Sequence, residues 1–155
     1  MTLRLKPLTP SMHPKPHISI ASFACALSDL VALDKNTGKP ETICSLEDPL
    51  LLSVKVEFSG SGAIALMPLH LSIQVEFYAK TRKRQDDIEL GEVTLETTAK
   101  QFLYQPTLVL PTGLAALEVL PDKAYMISAL VRIGAKGYPA LVTGLIDGLF
   151  IQTYE

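Results

Sequence analysis

The stretch Gly60-Ser61-Gly62-Ala63-Ile64-Ala65 has the G-x-G-x-x-A spacing of a dinucleotide fingerprint and follows a strand-like run. That chemistry needs a helix next, because the pyrophosphate sits on the helix N-terminus. Pro68 and the alternating segment from Leu69 leave room for little more than one helical turn, and no acidic residue follows at the end of a second strand after a crossover. The spacing therefore reads as a strand connection, and no cofactor is expected. Asp147 lies inside the apolar run Leu145-Ile146-Asp147-Gly148-Leu149-Phe150. A carboxylate there either faces solvent at a bulge or is a buried acid with a raised pKa, and the second case needs a partner group that no nearby His or Cys supplies. Glu76 is the other carboxylate an enzyme could use. Cys25 as a nucleophile needs a base. His17 lies eight positions away, roughly 26 Å along an extended strand. Cys25 and Cys44 sit in or beside apolar segments and read as reduced core thiols, with nothing requiring a disulfide between them. Two thiols, with His13, His17 and His70 outside ligand spacing, make no zinc site. No catalytic, cofactor-binding or metal-ligating residue is assigned.

Binding chemistry is a second class. Lys80-Thr81-Arg82-Lys83-Arg84 is a basic run followed by Asp86 and Asp87. It reads as a solvated strand end, or as a docking patch through Lys80, Arg82, Lys83 and Arg84 for an acidic partner. No aromatic residues interleave with it, and the whole chain carries a net charge of -2, so nucleic acid is not an expected partner. Tyr78, Tyr104 and Tyr138 are the aromatics on which a small molecule or carbohydrate could stack.

These residues must be positioned by strands. The chain has 155 residues, 48% of them apolar and 19% charged, which suits one globular domain with a full core. No secretory signal and no uninterrupted apolar run of membrane-spanning length is seen, so a cytoplasmic location is the default expectation. Residues 1–17 carry Pro7, Pro10, Pro14 and Pro16 and read as an extended arm, either a tail or a strap across a neighbouring subunit. Residues 18–155 read as a single domain. Ile18 to Ala26 is the first expected strand, with Ser28 to Leu33 a helical turn or its continuation. Leu52, Val54, Val56 and Phe58 alternate with Ser53, Lys55, Glu57 and Ser59. Leu69, Leu71, Ile73, Val75 and Phe77 alternate with His70, Ser72, Gln74, Glu76 and Tyr78, which places His70 on an outer face. From Ile88 to Leu95 the phase slips at Gly91, which predicts a bulge, with Ile88 and Leu90 on one face and Val93 and Leu95 on the other. Phe102 to Leu110 contains Pro106 and reads as an edge or kinked strand. Ala124 to Ile133 and Ala140 to Tyr154 are the last strands, joined by a Gly-rich turn. About seven or eight such strands and no long helix give an all-β antiparallel sandwich.

Leu120-Pro121-Asp122-Lys123-Ala124-Tyr125, followed by the alternating Met126 to Val131, resembles the start of strand F in fibronectin type III and other immunoglobulin-like domains. The resemblance implies that Tyr125 makes a tyrosine corner, its hydroxyl bonding back to the upstream backbone, with Leu120 packed beneath. It implies a fold and no particular activity. The chain has no tryptophan, and its cysteines are not placed as in antibody domains.

The last two strands are apolar on both faces, and a sandwich buries only one. Met126, Leu130, Val142, Ile146 and Phe150 are therefore the candidate interface. A non-catalytic protein acting through a homo-oligomer or a protein partner is the first reading. A small-molecule or carbohydrate-binding module is the second, and an enzyme using Asp147 or Glu76 the third.

Overall fold

A computed structural model of the chain describes residues 22–83, 86–138 and 141–155. The expected arm at residues 1–17, the opening of the first expected strand, and Arg84 lie outside the described residues. The strands are β1 (Ala24–Asp34), β2 (Ile43–Ser45), β3 (Leu50–Ser59), β4 (Ser72–Lys80), β5 (Ile88–Glu96), β6 (Leu103–Tyr104), β7 (Thr107–Leu110), β8 (Ala124–Gly134) and β9 (Val142–Tyr154). One helix, α1 (Ser61–Leu66), runs into a 3-10 turn at Met67–Leu69 between β3 and β4. The sheets are β1-β3-β6, with β7 also on β3, and β2-β9-β8-β4-β5. All pairings are antiparallel except the parallel β2–β9 pair. This is the A-B-E against G-F-C-C′ arrangement of an immunoglobulin-like sandwich. Ser28 to Leu33 continues β1 through a bulge at Asp29 (φ 50). The short β2 had no periodic signal, because a three-residue strand is too short to show one.

The core is made where alternation turns apolar side chains inward. Val54, Val56, Ile73, Val75, Phe77, Ile127 and Ala129 are completely buried. Pro106 divides its segment into β6 and β7, since proline has no N–H for the ladder; its carbonyl still accepts the Val54 N–H at 3.3 Å. Three expectations about placement or exposure need correction. Leu69 sits in the 3-10 turn and is exposed, and His70 ends that turn with φ 53, ahead of β4 rather than on it. Ser53, expected to face outward, is fully buried beside the Thr107 hydroxyl. Phe77 pairs with Gly91 and Tyr78 with Glu89, so Leu90 is an extra residue. That bulge returns Val93 and Leu95 to the core side, where they join Ile88 and Leu90 instead of opposing them.

The tyrosine corner is formed. Tyr125 is buried, and its hydroxyl accepts the Leu120 N–H at 2.8 Å. Leu120 contributes only backbone: its side chain is 52% exposed, not packed beneath the ring. Buried Thr153 closes the corner from β9, its hydroxyl donating to the Leu120 carbonyl at 2.7 Å and accepting the Lys123 N–H at 3.2 Å.

Cys25 and Cys44 are free thiols. Burial, helped by the Glu41 carboxylate, pushes the Cys44 thiol up to about 11, and burial raises Cys25 as well. An unfolded thiol ionises near pH ~8.5, so above that pH the unfolded chain releases a proton that the folded chain keeps. Stability is therefore expected to be complete below that pH and to fall as pH rises toward 11. Denaturation midpoints measured across this range for the native chain and Cys44→Ala should converge as pH rises. Parallel profiles would show that Cys44 is not responsible.

Candidate interaction site

Sheet β2-β9-β8-β4-β5 presents its outer face through the residues that alternate with the core. On β8 these are Met126, Ser128, Leu130 and Arg132, between buried Tyr125, Ile127, Ala129, Val131 and Ile133. Their β9 partners depend on a second bulge. Ile127 pairs with Leu149 but Ala129 with Ile146, so Asp147 and Gly148 together oppose Ser128. Gly148 takes φ 94, a backbone conformation that costs glycine nothing. Before the bulge Val142 and Ile146 face inward; after it Leu149 and Ile151 do. The expected common face of Val142, Ile146 and Phe150 is thus split: the first two pack half-buried against the core, and Leu145 joins Phe150 outside. The Asp-Gly pair inside an apolar strand was the available signal for this slip.

The outer face then has an apolar end and a polar end. Met126 lies opposite Phe150, and Leu130 opposite Leu145, with Phe150 61% and Leu145 63% exposed. Leu141 is exposed at the approach to β9, and Ile43 and Tyr154 at the far edge. Toward the β8–β9 hairpin the face turns polar. Arg132 stands between Gln74 of β4 and Thr143 of β9, and these residues with Ser72, Gly134, Ala135, Gly137 and Tyr138 line a groove of about 500 Å³.

Glu76 links the two ends. Its Oε1 accepts from Arg132 Nη1 at 2.6 Å, and its Oε2 accepts the Tyr78 hydroxyl proton. That bond, with burial adding to it, pushes the Tyr78 hydroxyl up to about 12. Tyr78 is thereby held by its neighbour. Tyr104 is buried, its hydroxyl accepting the Thr98 N–H at 2.9 Å and donating to the Gln101 carbonyl at 2.8 Å. Of the three tyrosines singled out in the sequence, Tyr138 is exposed at 75%, Tyr78 is half-buried and Tyr104 is buried.

The other sequence candidates are not brought together. Lys80, Arg82 and Lys83 are exposed at and after the end of β4, as are Asp86 and Asp87. Lys83 shares a cavity of about 160 Å³ with Lys123 and Glu118. Asp147 is exposed on the bulge. His70 is exposed beside Glu96, 4.0 Å away. The N–H of Gly62 in α1 already donates to the Ser22 carbonyl at 2.8 Å, within the six-residue helix. Among the described residues, no group of three or more His, Cys, Asp or Glu side chains could hold a metal ion. No helix among them is long and apolar enough to cross a membrane.

No protein-family model and no curated protein sequence matches the chain. Among solved structures it is similar to a CARDB domain from Pyrococcus furiosus in complex with di-metal ions, at 9% identity and a TM-score of 0.44, over 90% of this chain and 98% of that one. It is similar to AggA, the major subunit of aggregative adherence fimbriae type I from Escherichia coli, at 9% identity and a TM-score of 0.43, over 89% of this chain and 99% of that one. A β-glucosidase from Listeria innocua matches at 9% identity and a TM-score of 0.41, over 87% of this chain but 16% of that one.

Proposed function

We propose that the chain is a non-catalytic β-sandwich that works by protein–protein contact, and that its outer β8–β9 face associates with a second copy of itself. The observation that carries this reading is the row Met126, Phe150, Leu130 and Leu145, in which Leu145 and Phe150 of β9 stand more than half exposed opposite half-buried Leu130 and Met126 of β8. Water contact with apolar surface costs roughly 25 cal/mol per Å², and apolar side chains held exposed on a rigid sheet are relieved of that contact by association. The sheet supplies rigidity, so little is lost in ordering the surface on binding.

Size-exclusion chromatography with light scattering tests it. The expected mass is a whole multiple of 16.9 kDa. Phe150→Glu and Leu145→Glu should each shift it to the single-chain mass while leaving the thermal midpoint of the fold in place, because neither side chain belongs to the core. Reversing charge at Arg82 and Lys83 should leave the mass alone. A wild-type chain that runs as a monomer, or an oligomer indifferent to both glutamates, overturns this reading.

A further inference from the structure

The polar groove at the hairpin end adjoins the apolar row, one outward-facing pair further along β8 and β9, and has a chemistry of its own. Ser72 and Gln74 are half-buried, and Thr143 and Tyr138 are exposed. No described residue holds their side chains by a hydrogen bond, so four groups that both donate and accept face one groove open to solvent and to a ligand. Arg132 adds further donors. A guanidinium carries five N–H groups, and Glu76 is its observed acceptor.

The charge balance narrows the ligand class. Among the described residues that line the groove Arg132 is the one cation, and Glu76 neutralises it at 2.6 Å. An anion would have to compete with that carboxylate, which is fixed from its other side by Tyr78. An apolar ligand is no better served, because the described residues of the lining include no Leu, Ile, Val, Met or Phe. What the groove offers is a neutral mixture of donors and acceptors, a planar guanidinium held in place, small residues at Gly134, Ala135 and Gly137, and one exposed aromatic ring at Tyr138. A ligand that matches this has many hydroxyls, no charge and one flat C–H face to lie on the ring. We infer that this groove binds a neutral saccharide, with Gln74, Arg132 and Thr143 bonding its hydroxyls and Tyr138 stacking on its ring. The volume of about 500 Å³ suits a ligand of one or two sugar residues.

The test is a titration of the isotopically labelled full chain with maltose, cellobiose, lactose and chitobiose, read by amide chemical shifts, with citrate as the anionic comparison. The expected result is saturable shifts at Ser72, Gln74, Arg132 and Thr143 with at least one sugar, at a Kd of about 1 mM or tighter. Gln74→Ala and Tyr138→Ala should each weaken that binding by about tenfold or more, and Tyr138→Phe should retain most of it, since the ring supplies the stacking surface. Both side chains are outside the core, so the variants should fold. Absence of shifts with all four sugars overturns the inference. So do shifts confined to residues outside the groove, tighter binding of citrate, or binding indifferent to Tyr138→Ala.

Discussion

Replacing Tyr125 by alanine is expected to lower stability by about 3–5 kcal/mol, and by phenylalanine by about 1–3 kcal/mol. The two substitutions separate two jobs. The ring fills the core from β8 at 2% exposure, so its removal leaves a cavity between the sheets. The hydroxyl holds the chain before β8 by accepting the Leu120 N–H at 2.8 Å, and phenylalanine orphans that donor while filling the same space. Because domains of this size are stable by only about 5–15 kcal/mol, the alanine change should move the denaturation midpoint far enough to leave the chain marginal at physiological temperature. Thr153→Val should resemble Tyr125→Phe, since it removes the other hydroxyl that pins residues 120–123. Equilibrium denaturation of the three variants decides it. A Tyr125→Phe change of less than about 0.5 kcal/mol would mean that the corner contributes packing alone.

Thr97→Val is expected to cost about 2–5 kcal/mol, an unusual loss for a nearly isosteric change. The Thr97 hydroxyl is fully buried just beyond β5. It accepts the Leu71 N–H at 2.8 Å and donates to the Met67 carbonyl at 3.0 Å, tying the helical connection to the second sheet. Valine fits the space but leaves the Leu71 N–H without the hydroxyl that accepts it and the Met67 carbonyl without this donor. Thr94, exposed on the outer face of β5, is the control: Thr94→Val should stay within about 0.5 kcal/mol of the native chain. Equal effects at the two positions would show that the loss reflects the residue type and not the buried bonds.

Neither Thr97 nor Thr153 stood out in the sequence, and the reason is physical. A threonine carries the same local signal whether it faces water or bridges two segments. Its value depends on Met67 and Leu71 lying 26 to 30 positions away, or on Leu120 lying 33 away. Tyr125 was legible because its partner is five residues upstream, close enough for a local motif to carry both ends of the bond. The outer face was partly legible for the same reason. Alternation placed Met126, Leu130 and Phe150 on it, while the bulge at Asp147–Gly148 removed Val142 and Ile146 and supplied Leu145. One extra residue reverses every later facing along a strand, and the length of a bulge is decided by what the partner strand pairs with.

The amino-acid order by itself determined that the chain is an all-β sandwich, that most of β3, β4 and β8 turn their apolar side chains inward, that Gly91 and Pro106 interrupt their strands, and that Tyr125 forms a corner. Each follows from period-two alternation, from the missing N–H of proline or from a short-range motif, all of which act within a few residues. Only the tertiary structure decided which of two apolar faces of β9 is outside at each point, that Gln74, Arg132 and Thr143 form one groove, and that Glu76 neutralises Arg132 from the neighbouring strand. Those are matters of register between strands far apart in sequence. Register is chosen by the packing of the whole core, because a shift of one residue would turn its buried side chains into water.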